Sequence, residues 1–232
     1  MITEVSPNVY QLTSLFGNMV LIVEDRLTLV DTGTRGKTGL LLKLLRRLGR
    51  STKDIEYIVI THYHLDHVGG LAKLRKLSPG KVVAHRSDAP YINGELPQPN
   101  PIKGIKGQIL GAILWPWLFP IRPTPVAVDM VVEGGEKLPV LGGLEVIHTP
   151  GHTDGSITLF APERHLLITG DALFNRSNRL SLPSELFSRD AAQGRRSVEK
   201  LAQLDFEVLC LGHGLPITKG ASVRVRQLLG GV

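Results

Sequence analysis

The sequence predicts an α+β protein in which two sheet-bearing halves pack face to face and carry helices on their outer sides. Three observations carry this reading. Short β-rich runs alternate with helix-patterned runs in both halves of the chain. Several neighbouring runs are joined by tight turns, which excludes one continuous doubly wound parallel sheet. The length of 232 residues, with 42% hydrophobic side chains, suffices for a buried core, and one domain over residues 1–232 is expected. A single cysteine excludes a disulfide scaffold.

Val9–Leu12, 18–23 and 27–30 read as antiparallel strands, with a polar turn at Glu24-Asp25. Asp31-Thr32-Gly33 ends the last of them. Leucines at 40, 41, 44, 45 and 48 then place an amphipathic helix over 38–48, closed by Gly49. The almost continuous apolar run 55–61 is a strand that ends in a polar cluster. Leu71, Leu74 and Leu77 mark a second helix, and 81–84 a further strand. The second half offers strands at 144–148, 156–160, 166–169 and 206–211, a helix near 190–204 and a short C-terminal helix.

Residues 94–126 stand apart as an insertion, with prolines at 97, 99, 101, 116, 120, 123 and 125 and both tryptophans, Trp115 and Trp117. Its apolar stretch 109–121 is too short and too proline-broken to cross a membrane, and no transmembrane segment is expected. A helix tucked onto the core, a lid over a substrate pocket with Trp115 and Trp117 against the substrate, a homodimer contact and an interfacial anchor are the readings open to it.

The formal charge is +6 with a pI near 9.6. The basic residues are scattered, and their short clusters (Lys43, Arg46, Arg47, Arg50; Arg189, Arg195, Arg196, Lys200) fall on helix-patterned segments as solvated faces. No nucleic-acid partner is therefore expected. The N-terminus MITEVSPNVYQL lacks a basic region followed by an apolar one, so no signal peptide is read there, and with the lone Cys210 a cytoplasmic location is expected.

The chemistry lies in His62-Tyr63-His64-Leu65-Asp66-His67, placed where the apolar strand ends and a helix begins. Gly151-His152-Thr153-Asp154, Gly170-Asp171 and Gly212-His213-Gly214 each put a His or Asp just past a strand end, beside glycines that allow a sharp turn. Strand ends along one rim of a sheet can converge. Imidazole and carboxylate donors suit Zn²⁺ and other first-row divalent ions. Seven candidate ligands, His62, His64, Asp66, His67, His152, Asp171 and His213, are too many for one tetrahedral ion and about right for two.

On these residues the sequence resembles the metallo-β-lactamase-fold superfamily. Its HxHxDH motif matches His62, His64, Asp66 and His67, and the resemblance extends to Asp31-Thr32-Gly33, GHTDGS at 151–156, GDALF at 170–174 and GHG at 212–214. It implies a four-layer αββα sandwich with two metal ions at one sheet edge, most often Zn²⁺, with Fe or Mn as alternatives. His62, His64 and His152 would hold one ion, Asp66, His67 and His213 the other, and Asp171 both. Two such cations share a water and lower its pKa from 15.7 toward ~7, so hydroxide is the expected nucleophile and Asp66 a candidate proton donor to the leaving group.

Asp31 reads either as the partner of a ligand histidine or as a cap on its own turn. His148 is a structural residue or lines the site, and His85 and His165 are structural or surface residues. Glyoxalase II shares THxHxDHxGG at 61–70, but its basic, Cys-containing stretch is replaced here by Asn175-Arg176-Ser177-Asn178-Arg179, and only nineteen residues follow His213. The lactonase branch carries a Tyr three residues after the bridging Asp, where this chain has Phe174, a candidate substrate contact. The function expected is hydrolysis of a small ester, thioester or lactone with a hydrophobic moiety, with phosphoester activity beside it. The alternatives are an iron-dependent oxidoreductase of the same fold and a nuclease or phosphodiesterase.

Overall fold

The structure is a computed structural model that describes residues 1–99 and 123–230. Trp115, Trp117 and most of the insertion at 94–126 lie outside the described residues. In chain order the strands are β1 (Ile2–Ser6), β2 (Val9–Leu12), β3 (Met19–Val23), β4 (Leu27–Val30), β5 (Ile55–Val59), β6 (Lys81–His85), β7 (Met130–Val132), β8 (Lys137–Leu138), β9 (Leu144–His148), β10 (Ile157–Ala161), β11 (Leu166–Ile168), β12 (Phe174–Arg176), β13 (Arg179–Ser181), β14 (Val208–Cys210) and β15 (His213–Gly214). The helices are α1 (Thr38–Arg47), α2 (Leu65–Val68), α3 (Leu71–Leu77), α4 (Ala89–Asn93), α5 (Ala191–Leu201) and α6 (Ala221–Leu228).

The first sheet runs β1 to β7 in sequence order: its first four strands form an antiparallel meander, and β4 to β7 are parallel. The second sheet has the order β14-β11-β10-β9-β8, antiparallel except for β11 with β14. A small sheet, β13-β12-β15, caps one end.

Alternation along each strand sorts side chains between layers. Val20, Ile22, Val30, Val59 and Val83 of the first sheet meet Leu144, Val146, Ile157, Leu159, Ile168 and Cys210 of the second in one buried core. The intervening Leu21, Leu27, Leu29, Ile58 and Val82 turn the other way, onto Leu41, Leu44 and Leu45 of α1 and Leu71 and Leu74 of α3. On the far side, Phe160, Leu167 and Leu209 pack against Val198 and Leu201 of α5 and Val225 of α6. Three cores separate four layers, which is the αββα sandwich. Branched valines dominate the first sheet's inner face, where stiff side chains fit between sheets, and leucines its outer face, where they reach a helix.

The main expected elements are present, with ends that shift where the site begins. The strand expected over 55–61 closes at Val59, because Thr61 leaves the ladder and its carbonyl accepts from Ile157 N at 3.0 Å, stitching the two sheets together. The strand expected over 206–211 spans only 208–210, since Phe206 turns into the core beneath α5 and α6. The sequence pattern marks no strand at β1, β7, β8, β12, β13 or β15. These run from two to five residues, and their pairing depends on remote partners.

Candidate metal centre

The ends of β5, β9, β11 and β14 open toward one edge of the sandwich, and the segments that follow them carry the seven residues, with Asp31 after β4. After β5, an extended turn places His62 and His64, and α2 follows with Asp66 and His67 in its single turn. Thr32 closes this turn: its N–H and hydroxyl both donate to His67 O, at 2.8 and 2.7 Å. Gly70 N donates to Gly33 O at 3.1 Å.

Three groups of donor atoms result, each with its atoms within 4.8 Å of one another: His62, His64 and His152; His62, His67 and Asp171; Asp66, His67 and His213. Asp171 lies between the other members. Its carboxylate is 3.4 Å from His152 Nε2, 3.3 Å from His67 Nε2, 3.3 Å from His213 Nε2 and 4.0 Å from His62 Nε2. His213 Nε2 is also 3.1 Å from Asp66 Oδ2, and His152 Nε2 is 2.9 Å from His64 Nδ1. His62 Nε2, His67 Nε2 and Asp171 Oδ1 are buried without a hydrogen-bond partner among the described residues. Buried polar atoms without partners are costly in a folded protein, and convergent ones mark a place for an ion.

The electrostatics agree with that fit. Burial, aided by neighbouring imidazoles, pushes His62 well below the usual histidine range and His64 down to about 3, and burial also lowers His152. Neutral imidazole is the form that ligates. Burial acts against ionisation of Asp66 and Asp171, but His67 and His213 outweigh it, holding Asp66 at about 2 and Asp171 well below the carboxylate range. Burial also opposes protonation of His67 and His213. Carboxylates, Asp171 first, overcome it, raising His67 well above its usual value and His213 to about 9. The site thus draws positive charge onto one point, a demand that divalent cations would meet with release of those protons.

Asp31 resolves its two readings here. Its carboxylate is 2.7 Å from His67 Nδ1 and accepts from Thr61 N at 2.8 Å and Thr61 Oγ1 at 2.7 Å. Its backbone sits at φ +59°, unusual for a side-chain-bearing residue, so the fold holds a strained turn that aims this carboxylate at His67. Gly212 is as constrained: a Cβ there would lie 2.0 Å from Asp171 Oδ1 and 2.9 Å from His67 Cε1.

Phe174 lies beside the cluster, its ring 5.1 Å from that of His213 and edge-on to it. His148 is not part of any of the three donor groups; it stacks on His85 with ring centroids 3.9 Å apart, and its Nε2 is 2.9 Å from Asp154 O. His165 pairs with the exposed Asp205 at 3.2 Å. The basic clusters follow helix faces, with Arg195 bridging to Glu199 at 3.2 Å.

Three buried residues outside the sequence motifs support the loops. Gln11 Nε2 donates to Gly214 O at 3.0 Å and Gln11 Oε1 accepts from Leu211 N at 3.2 Å. Asn18 Nδ2 donates to Leu211 O and Gly214 O, at 2.9 and 2.8 Å, while its backbone N–H donates to Gly212 O at 2.7 Å. The third, Asp88, links the loops of His62 and His152. The one sequence signal of Gln11 and Asn18 is a polar side chain within or at the end of an apolar run; Asp88, in the polar stretch 85–88, has none.

The family model for the metallo-beta-lactamase superfamily matches residues 12–213, so the chain belongs to that superfamily. Among its relatives is the probable metallo-hydrolase YflN of Bacillus subtilis (strain 168), 28% identical over 93% of this chain and 87% of that protein. A hydroxyacylglutathione hydrolase of Pseudomonas paraeruginosa is 32% identical, over 63% of this chain but only 42% of its own length. Among solved structures, a metallo-beta-lactamase family protein from Thermus thermophilus superposes with a TM-score of 0.72 at 25% identity, covering 98% of this chain and 80% of that one. The metallo-beta-lactamase SMB-1, at 20% identity, a TM-score of 0.69 and coverage of 91% and 79%, shares the fold. No helix among the described residues is long and apolar enough to cross a membrane.

Proposed function

We propose that the protein is a dinuclear metal-dependent hydrolase acting on a small ester, thioester or lactone. The observation that carries this reading is the position of the Asp171 carboxylate, within 3.3–3.4 Å of His67, His152 and His213, between two donor groups that it can serve at once. His62, His64 and His152 would hold one ion; Asp66, His67 and His213 the other. The mix of imidazole and carboxylate donors suits Zn²⁺. When bound, such a pair of cations supplies hydroxide at neutral pH and polarises the substrate oxygen.

The protein's own groups do the rest. Asp31 fixes the His67 ring by accepting from Nδ1, leaving Nε2 to face the ion. Asp66, ionised and 30% exposed in its side chain, is the carboxylate open enough to take up the proton shed by the nucleophile and return it to a departing alkoxide or thiolate. Phe174 walls the cluster and helps exclude water. Leu15 and Phe16, exposed at 82% and 51%, precede Gly17, whose backbone packs on Asp66, and give the rim an apolar side suited to a substrate with a hydrophobic portion.

Metal analysis together with an assay of ester, thioester and lactone panels tests the reading. Two zinc ions per chain and hydrolysis that Asp171→Ala abolishes are expected. One iron per chain with oxygen consumption would overturn it in favour of an oxidoreductase.

A further inference from the structure

Asp88 is almost fully buried, at 1% exposure, and stands at the N-cap of α4. An aspartate at that position ordinarily accepts from the first backbone N–H groups of its own helix. This one does not. Its carboxylate turns away and receives three other donors: Tyr63 N at 3.0 Å and Thr153 Oγ1 at 2.8 Å on Oδ2, and Gly155 N at 2.8 Å on Oδ1. Tyr63 separates His62 from His64 on the loop leaving β5 of the first sheet. Thr153 and Gly155 follow His152 on the loop between β9 and β10 of the second.

We propose that Asp88 is a positioning residue: one carboxylate clasps the His62–His64 loop to the His152 loop across the seam between the sheets. It thereby sets the spacing of the three histidines. The surroundings are built around it. A Cβ on Gly155 would lie 2.4 Å from Asp88 Oδ1, so only glycine lets that loop approach. Ser156 Oγ accepts from Thr153 N at 3.0 Å and lies 2.8 Å from Thr153 Oγ1, which aims the hydroxyl. On the other side the Tyr63 ring is braced by Tyr91 of α4 at 4.5 Å and touches His64 edge-on at 4.9 Å. Without the clasp, no described hydrogen bond joins the backbone or side chain of Tyr63 to the 153–155 turn.

The consequence for metal affinity rests on the dinuclear reading; the clasp itself does not. Asp88→Asn keeps the shape but turns an NH₂ group against at least one donor. In metal-free protein, amide exchange at Tyr63 or at Gly155, whichever the NH₂ group faces, should quicken by about tenfold, the factor expected when a buried hydrogen bond is lost. Wild-type rates at both amides would overturn the proposal. Zinc titration against a chromophoric chelator should show one of the two ions bound about 10–100-fold more weakly, as for other groups that orient ligands. In the cobalt-loaded protein the absorption of that site should fall while the other is kept.

Unchanged affinity for both ions would also overturn it. Should Asp88→Asn fail to fold, Thr153→Val removes one donor alone: weakening of the same ion by about threefold is expected, and an unchanged constant refutes the clasp. Because the exchange comparison uses metal-free protein, it decides the clasp even if the wild type takes up no zinc, a result that would sink the dinuclear reading instead.

Discussion

Gly212→Ala should disable the centre without unfolding the chain. A methyl group at this position would sit 2.0 Å from Asp171 Oδ1, 2.9 Å from Gly170 C and 2.9 Å from His67 Cε1. Non-bonded carbon and oxygen come to rest at about 3.3 Å, so the carboxylate must retreat by more than about 1 Å. The backbone cannot absorb this easily, because Gly212 N donates to Gly170 O at 2.8 Å and Asn18 N to Gly212 O at 2.7 Å. Overpacking of this kind costs about 1–3 kcal/mol, or about 2–12 °C of Tm for a chain of this size. Displacement of about 1 Å at a reacting centre costs roughly 100-fold in rate. The assay is zinc content per chain, kcat on the best substrate of the panel and thermal melting, with Gly39→Ala as control. Gly39 lies in α1 with open space around its added Cβ, and alanine there should stabilise by about 0.5 kcal/mol and leave activity alone. A Gly212→Ala protein that keeps two ions and full activity would refute the account of Asp171.

Three further outcomes are expected. Asp31→Ala removes the acceptor on His67 Nδ1 and two bonds to Thr61, so affinity for the ion nearest His67 should fall by about 10–100-fold; competition with a chelator measures it, and an unchanged constant rejects the orienting role. Phe174→Tyr adds a hydroxyl beside the cluster and should raise kcat/KM for lactones over simple esters by about tenfold, a modest share of what one oxyanion donor supplies; equal ratios in both proteins would show that the ring edge does not face the substrate. Asp88 is raised to about 7 by burial, against the pull of Thr153, Tyr63 and Gly155, from 3.8 in the unfolded chain. The folded state therefore holds a proton that the unfolded state has lost, and the stabilisation is full below about pH 4 and disappears as pH rises through about 7. In metal-free protein the stability of wild type relative to Asp88→Asn should thus decline across that window, which denaturant midpoints at successive pH values will read; a flat or rising difference contradicts the burial argument.

Much of the layer architecture was legible because each element carries its own periodicity. The leucines of α1 repeat at helical spacing, and β3 alternates between Val20 and Ile22, which face the second sheet, and Met19 and Leu21, which face the helices. The donor set was legible for a related reason: HxHxDH concentrates four polar side chains where an apolar strand stops, a pattern that an ordinary core would not tolerate. The short strands β7, β8, β12, β13 and β15 were not, because two or three residues carry no period and pair only where another strand already waits. Asp31 was legible as a residue but not as a partner. Only its φ of +59° and the approach of His67 chose between capping a turn and holding a ring.

By itself, then, the sequence determined which residues are polar where strands end, which faces are apolar, and, with Cys210 as its one cysteine, that no thiolate-rich set holds the centre. The tertiary structure decided everything that depends on distance across the sandwich. Gln11 meets Gly214 over 203 positions of sequence, Asn18 meets Leu211 over 193, and Asp88 meets Gly155 over 67. Such contacts leave no local pattern, because the partner of a buried amide or carboxylate is whichever donor sheet packing brings within about 3 Å, and an unpaired one is too costly to keep.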